Sequence, residues 1–318
     1  MRRRGRSVLI AAAVVAVVAG AVTVVWRHDL VPLILVESCQ ATVEDTTVSL
    51  DPAQARYAGL IAATAVSRGL PARAASIALA TAYQESGLRN LRGGDRDSLG
   101  LFQQRPSQGW GTTDQILNPV YATNAFYDAL VKVDGYESME ITVAAQAVQR
   151  SAFPNAYADH ERDARTLASA LTGNSPGAFS CELGATEDGD TELTDSGLTP
   201  RAQKVREEVR ALFDQPVGGF APDGVSTGHM EGSAHYAGRA VDIFVRPVNA
   251  DNNLRGWAIA QFLVSQADRL GIKTVIFDAR IWTAGRRSGD GWRDYEPPER
   301  AGDSAVLEHR DHVHVDVY

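Results

Sequence analysis

The sequence lacks an excess of basic residues, and that absence excludes one large class of partners. Lys and Arg number 31 against 39 Asp and Glu, a net charge of −8, so nucleic acid has no electrostatic support as a ligand. Charged residues are also modest in number, 22% beside 44% hydrophobic, which excludes a disordered chain and fits a globular one. No internal repeat is visible. Cysteine is scarce, with Cys39 and Cys181 alone. The 318 residues suffice for two ordinary domains.

The basic residues are not spread evenly, and four of the first six residues are Arg. An uncharged run of 19 residues follows from Val8 to Trp26. As a helix it would cover ~28 Å, close to the hydrocarbon thickness of a bilayer. It lacks a clear A-x-A ending and is long for the apolar part of a signal peptide, which favours an anchor over a cleaved leader. Residues 1–7 would then be cytoplasmic, and everything after Trp26 would lie outside a single-pass cell membrane protein. Outside the membrane, a pair of cysteines is expected to be oxidised. Cys39 and Cys181 flank the first globular region, so a bridge would join its two ends.

Residues 27–50 read as a stalk. From 51 to 181 the pattern is helical: Asp51-Pro52 opens a helix through Val66, and Pro71 opens another that Gly87 stops. Asn118-Pro119 opens a third, and Ile141–Gln149 and Pro154–Leu171 supply two more. No comparable stretch alternates with period two, so this region is predicted to be mainly α. Residues 182–197 carry six acids, no base and three glycines. Such a segment has too little apolar surface to order itself and reads as a linker. Residues 198–318 mix an amphipathic helix from Pro200, the strand-like AVDIFVRPV, a helix from Leu254 to Leu270, the strands KTVIFD and ARIW, and the alternating terminus HVHVDVY. That mixture predicts an α+β second domain.

In the first region Glu85 ends an apolar, small-residue helix. If walled by apolar groups, its carboxyl would stay protonated near neutrality and could donate to the leaving oxygen of a glycosidic bond. Around it, the Glu85-Ser86 pair, G-L-F-Q at Gly100–Gln103, NPVYATNAFYDAL and AQAVQRSAFPNAY follow in order. This set, spread over residues 55–170, resembles the lytic transglycosylase and goose-type lysozyme family. The resemblance implies a lysozyme-like fold, with Glu85 as catalytic acid and Gln103 and Tyr157 lining a sugar groove. Gln146, Gln149 and Arg150 depart from the family's A-Y-N-A-G segment. Hydrolysis would need a partner carboxylate, and Asp95 and Asp97 are nearest in sequence, either as that partner or as loop acids balancing Arg92 and Arg96. Trp110 would stack on a sugar or pack.

In the second region five of the seven histidines fall between His229 and His314. His235 and Asp242 stand seven residues apart across a glycine turn into a strand, and alternation places His312 and His314 on one strand face. Two imidazoles and a carboxylate suit Zn2+, leaving a fourth position for a water of lowered pKa that can attack an amide carbonyl. His229 and His309 are expected to have ordinary surface or core partners. The pattern S-x-H-x-x-G-x-A-x-D at Ser233–Asp242, with H-x-H downstream, resembles the zinc metallopeptidases grouped as D-Ala-D-Ala carboxypeptidases and murein endopeptidases. That resemblance implies ligands His235, Asp242 and His314, with Ser233 at the substrate and His312 assisting proton transfer. Asp311 holds the position of the dipeptidase-type base, a role that either it or His312 would fill.

The two resemblances converge on one polymer, since a glycan cutter and a D-peptide cutter both act on peptidoglycan. They imply a multidomain, membrane-anchored cell-wall hydrolase with its catalytic domains extracellular, working beside secretion, conjugation or division machinery. The alternative is a wall-binding or scaffold protein in which one or both domains are inactive.

Overall fold

The computed structural model describes residues 36–299 and 301–318, so the basic segment 1–7 and the apolar run Val8–Trp26 lie outside the described residues. Among the described residues no helix is long and apolar enough to cross a membrane. Residues 37–318 form one compact unit.

The chain enters this unit through a hairpin, β1 (Ser38–Val43) and β2 (Thr46–Leu50), where a stalk was expected. Its signal is weak because each strand buries few side chains, Cys39 and Ala41 on one and Val48 and Leu50 on the other. β3 (Phe179–Glu182) pairs antiparallel with β1, giving the order β2-β1-β3. Cys39 faces Cys181 directly in this register, and the two form a disulfide across 142 residues.

Between β2 and β3 lie the helices. Pro52–Ser67 starts at a capping box in which Asp51 accepts from the Gln54 N–H while the Gln54 side chain accepts from the Asp51 N–H. Ala72–Ser86 ends at Gly87, left-handed at φ 62°, whose N–H reaches Tyr83 O. This helix is buried nearly all round, as its run of Ala, Ile and Leu requires. Pro119–Leu130 and Ile141–Gln149 match the expected helices, and a short Thr113–Leu117 helix precedes them. The expected Pro154–Leu171 helix is instead a 3₁₀ turn, Ala156–His160, leading into Glu161–Leu171.

The second half is built on a six-stranded antiparallel sheet of order β4-β5-β9-β6-β7-β8. Its strands are β4 (Val217–Gly218), β5 (Ala240–Phe244), β6 (Ile272–Phe277), β7 (Arg280–Thr283), β8 (Arg293–Asp294) and β9 (His312–Val317). The helices Pro200–Phe213 and Ala250–Ser265 belong to the same half, and a short Ala267–Leu270 turn of helix continues the latter.

The halves are not joined by a free linker. Residues 183–199 form no helix or strand, yet Leu183 and Leu198 are buried, Gly184 donates to Glu37, and Gly189 donates to Tyr318 O. Two apolar anchors and backbone pairing to neighbouring elements supply the order that composition denied. Buried polar groups also cross between the halves. Gln261 donates to Ala170 O at 2.6 Å and accepts from Phe179 N at 2.9 Å, while Trp282 and Trp292 donate to Cys181 O and Phe179 O. Gly59 lets the Pro52–Ser67 helix approach Ala250–Ser265 closely, since a Cβ there would sit 2.0 Å from Ser265 Oγ.

Candidate functional site

The structure brings the histidines of the second half into one cleft of about 530 Å³, lined by His229, His235, His309, His312 and His314 together with Asp242. Sheet register does most of the placing. Asp242 on β5 stands directly opposite His314 on β9, and Phe244 opposite His312, so side chains far apart in sequence share a face. His235 arrives on a 3₁₀ turn, Ala234–Ala237, where the Ser233 hydroxyl accepts from the His235 N–H. Ser233 therefore lines the cleft and also caps the turn that carries His235.

Three atoms converge there. His235 Nε2 lies 3.2 Å from both His314 Nδ1 and Asp242 Oδ1, and His314 Nδ1 lies 3.1 Å from the same Oδ1. The other ring nitrogens have acceptors of their own: His235 Nδ1 faces Gly219 O at 2.7 Å and His314 Nε2 faces Asp316 at 3.5 Å. Protons on those outer nitrogens would leave lone pairs on all three converging atoms, an arrangement able to hold a cation. Their spacing also suits one, since ligands about 2.0–2.1 Å from a tetrahedral Zn2+ stand ~3.3 Å apart. Gly219 is needed for this approach, because a Cβ on it would lie 2.4 Å from the His235 ring.

The same atoms favour a shared proton. Burial opposes charge on both partners, but their hydrogen bonds prevail: Asp242 is held well below the usual carboxylate range by His235 and His314, and His314 is raised to about 9 by Asp242 and Asp316.

His312 sits beside this triangle, its Nε2 3.8 Å from Asp242 Oδ1. Its Nδ1 is 2.6 Å from Asp311 Oδ1, and the other Asp311 oxygen accepts from Arg246 Nε at 2.7 Å. Both Asp311 oxygens are thus engaged, which makes this buried carboxylate the orienting partner of His312. His309, expected to be ordinary, has its ring 4.7 Å from His312 and 4.9 Å from Tyr295. Burial, with the neighbouring His314 and His312, pushes it down to about 3. His229, likewise expected to be ordinary, joins His235 and Asp242 in a group of metal-competent side chains. Its local sequence carries no ligand spacing, and only the folded loop reveals it.

In the helical half the four sequence pieces meet around Glu85. Tyr157 donates to Glu85 Oε1 at 2.7 Å. Ser86 donates to Leu101 O in G-L-F-Q at 2.7 Å, Gln149 donates to Phe102 O at 2.8 Å, and Phe102 stacks on Phe126 at 4.6 Å. Glu85 is half-buried and Tyr157 buried. Burial and the Glu85 charge push the Tyr157 hydroxyl above the ordinary tyrosine range. Gln103 turns back onto its own loop, donating to Gly100 O at 3.1 Å. Asp97 accepts from Ser107 N and Arg105 Nε, which hold it well below the usual range, while the exposed Asp95 stands beside Arg96. Asp97 is accordingly a loop brace, with Arg105 rather than Arg92 or Arg96 as its base. Trp110 lines another cleft, of about 570 Å³, with Gln108, Lys132, Gln149 and Arg150.

Residues 194–305 match a family model described as the VldE C-terminal domain. The matched stretch contains His229, His235 and Asp242 and stops before β9, which carries His312 and His314. Comparison with curated proteins finds no match.

Proposed function

We propose that the chain is a membrane-anchored peptidoglycan hydrolase, cutting glycan with Glu85 and stem or cross-link peptides at a Zn2+ site of His235, Asp242 and His314. The observation that carries this reading is the triangle of three lone-pair atoms, 3.1–3.2 Å apart, at the floor of a histidine-lined cleft. A zinc ion held there would supply Lewis acidity and lower the pKa of water. His312 would accept the reaction's proton at Nε2, because Asp311 takes its Nδ1–H and Arg246 keeps Asp311 in place. Glu85 would donate its proton to a glycosidic oxygen, with Tyr157 fixing the carboxyl rotamer. Val8–Trp26 would anchor the molecule with both sites outside, beside secretion, conjugation or division machinery.

Mass analysis of fragments released from purified peptidoglycan tests the whole reading, since glycan and peptide cuts leave different masses. Intact wall after metal reconstitution would leave the second reading, binding without cleavage. That reading draws on Gln146, Gln149 and Arg150, where the helical half departs from the catalytic pattern it resembles.

A further inference from the structure

We infer that His229 is a fourth, displaceable ligand of the same metal centre, carried on a loop that keeps the site closed until substrate lifts it. The inference rests on the zinc reading above and adds a means of regulation to it.

The position of His229 is the first support. Ligand atoms of His229, His235 and Asp242 all lie within 4.8 Å of one another. The His229 ring stacks on that of His235, centroids 3.9 Å apart and planes 20° from parallel, so a turn of the His229 ring out of this stack is what brings its nitrogen onto a shared ion. Its backbone is held in both directions by a single hydroxyl. Tyr236 Oη accepts from His229 N at 3.1 Å and donates to His229 O at 2.7 Å. Tyr236 follows His235 in sequence, so the loop is fastened to the turn that carries a ligand.

The tip of the loop is exposed and shaped by glycine. Gly228 and Gly232 bracket its tip at φ 94° and 75°, and a Cβ on either would meet nothing within 4 Å. Packing does not require these glycines; the backbone conformation does. Met230 and Glu231 between them are exposed, so the tip is not held by burial of His229's neighbours. Residues 228–233 line the same cleft as the ligands, and a peptide entering it meets this loop.

The chemistry follows from ligand count. Three protein ligands leave a zinc site open, as catalysis requires, while four close it. An imidazole is a neutral donor that can be exchanged, so His229 would add affinity with the loop down and yield its position when the loop lifts.

The test compares full-length wild type with His229→Ala and Tyr236→Phe, using zinc affinity and the visible absorption of cobalt(II) bound in place of zinc. His229→Ala should weaken zinc binding by roughly 10-fold or more, the scale on which supporting groups act. It should also shift the cobalt(II) visible band as water replaces an imidazole on the ion, and release wall peptides faster than wild type. Tyr236→Phe keeps the imidazole and removes its clamp, so it should move the spectrum in the same direction by less. It also keeps the test alive should His229→Ala fold poorly. Unchanged zinc affinity and cobalt spectrum in both variants would overturn the inference alone. A wild-type chain that takes up neither metal would overturn the zinc reading with it.

Discussion

The two halves of this molecule assemble their chemistry by different means. In the sheet half, Asp242 and His314 meet because β5 and β9 pair in one register. In the helical half, Glu85 stands at a helix end and its surroundings come from loops, through Ser86 to Leu101 O, Gln149 to Phe102 O and Tyr157 to Glu85 itself. A register fixes every opposed pair at once, whereas a loop-built site is the sum of separate bonds. The proposed metal centre should therefore depend on a few side chains absolutely, and the Glu85 site should degrade in steps.

The strongest way to break that comparison is a crossed pair of variants in the full chain. Glu85→Gln should lower glycan cleavage by ~10²–10⁴-fold, the usual loss of general acid catalysis, and leave zinc content at wild-type level. His235→Ala, Asp242→Ala and His314→Ala should each lose zinc while glycan cleavage persists. His312→Ala should keep the metal and lose peptide cleavage. Zinc retained by any of the three ligand variants would remove that residue from the centre.

The same contrast explains what could be read in advance. Strand alternation is visible in HVHVDV, and β5 faces β9, so Asp242 and His314, named with His235 from spacing, stand side by side, His235 joining them from its 3₁₀ turn. Helix starts at Asp51-Pro52 and Asn118-Pro119 were legible because caps are local. The β1–β2 hairpin was not, since so few of its side chains are buried and its third partner lies 142 residues away at the disulfide. The place of His229 in the cleft escaped for a related reason: a loop stitched back by Tyr236 leaves no periodicity to find. The order in residues 183–199 comes from distant partners such as Glu37 and Tyr318, which composition does not encode.

Stability should couple the halves more tightly than their separate chemistry does. Reducing Cys39–Cys181 reopens a constraint spanning 142 residues, nominally worth roughly 4–5 kcal/mol in the chain-entropy model. The midpoint of denaturant unfolding should fall accordingly, and an unchanged midpoint would show that the sheet holds without the bridge. Gln261→Ala strands the buried Phe179 N–H and removes one of the donors to Ala170 C=O, which keeps Gly173 N–H; the change should cost about 1–3 kcal/mol. Fluorescence and circular dichroism should then report a single transition for both halves. Two separated transitions would mean that the shared core is weaker than its buried bonds imply.

The smallest expected effect lies in the pH dependence of the chelator-stripped protein. His314 is raised to about 9 from an ordinary 6.5, burial opposing and Asp242 and Asp316 prevailing. A raised group binds its proton more tightly folded than unfolded. Its stabilisation is thus full below about 6.5 and lost as pH rises through about 9. Asp242 is shifted the other way, so its contribution is present above the ordinary carboxylate value of 3.8 and lost only on acidification. Together they place maximal metal-free stability in mildly acid solution, with Tm falling from pH 6.5 toward 9. Zinc demands the deprotonated imidazole, so metal should raise Tm most at the alkaline end of that range, where no proton competes. Thermal unfolding at several pH values, with chelator and with zinc, measures both slopes. A metal-free Tm that stays level or rises over this interval, or one whose slope survives His314→Ala, would show that the proton in the triangle is not what holds these strands together.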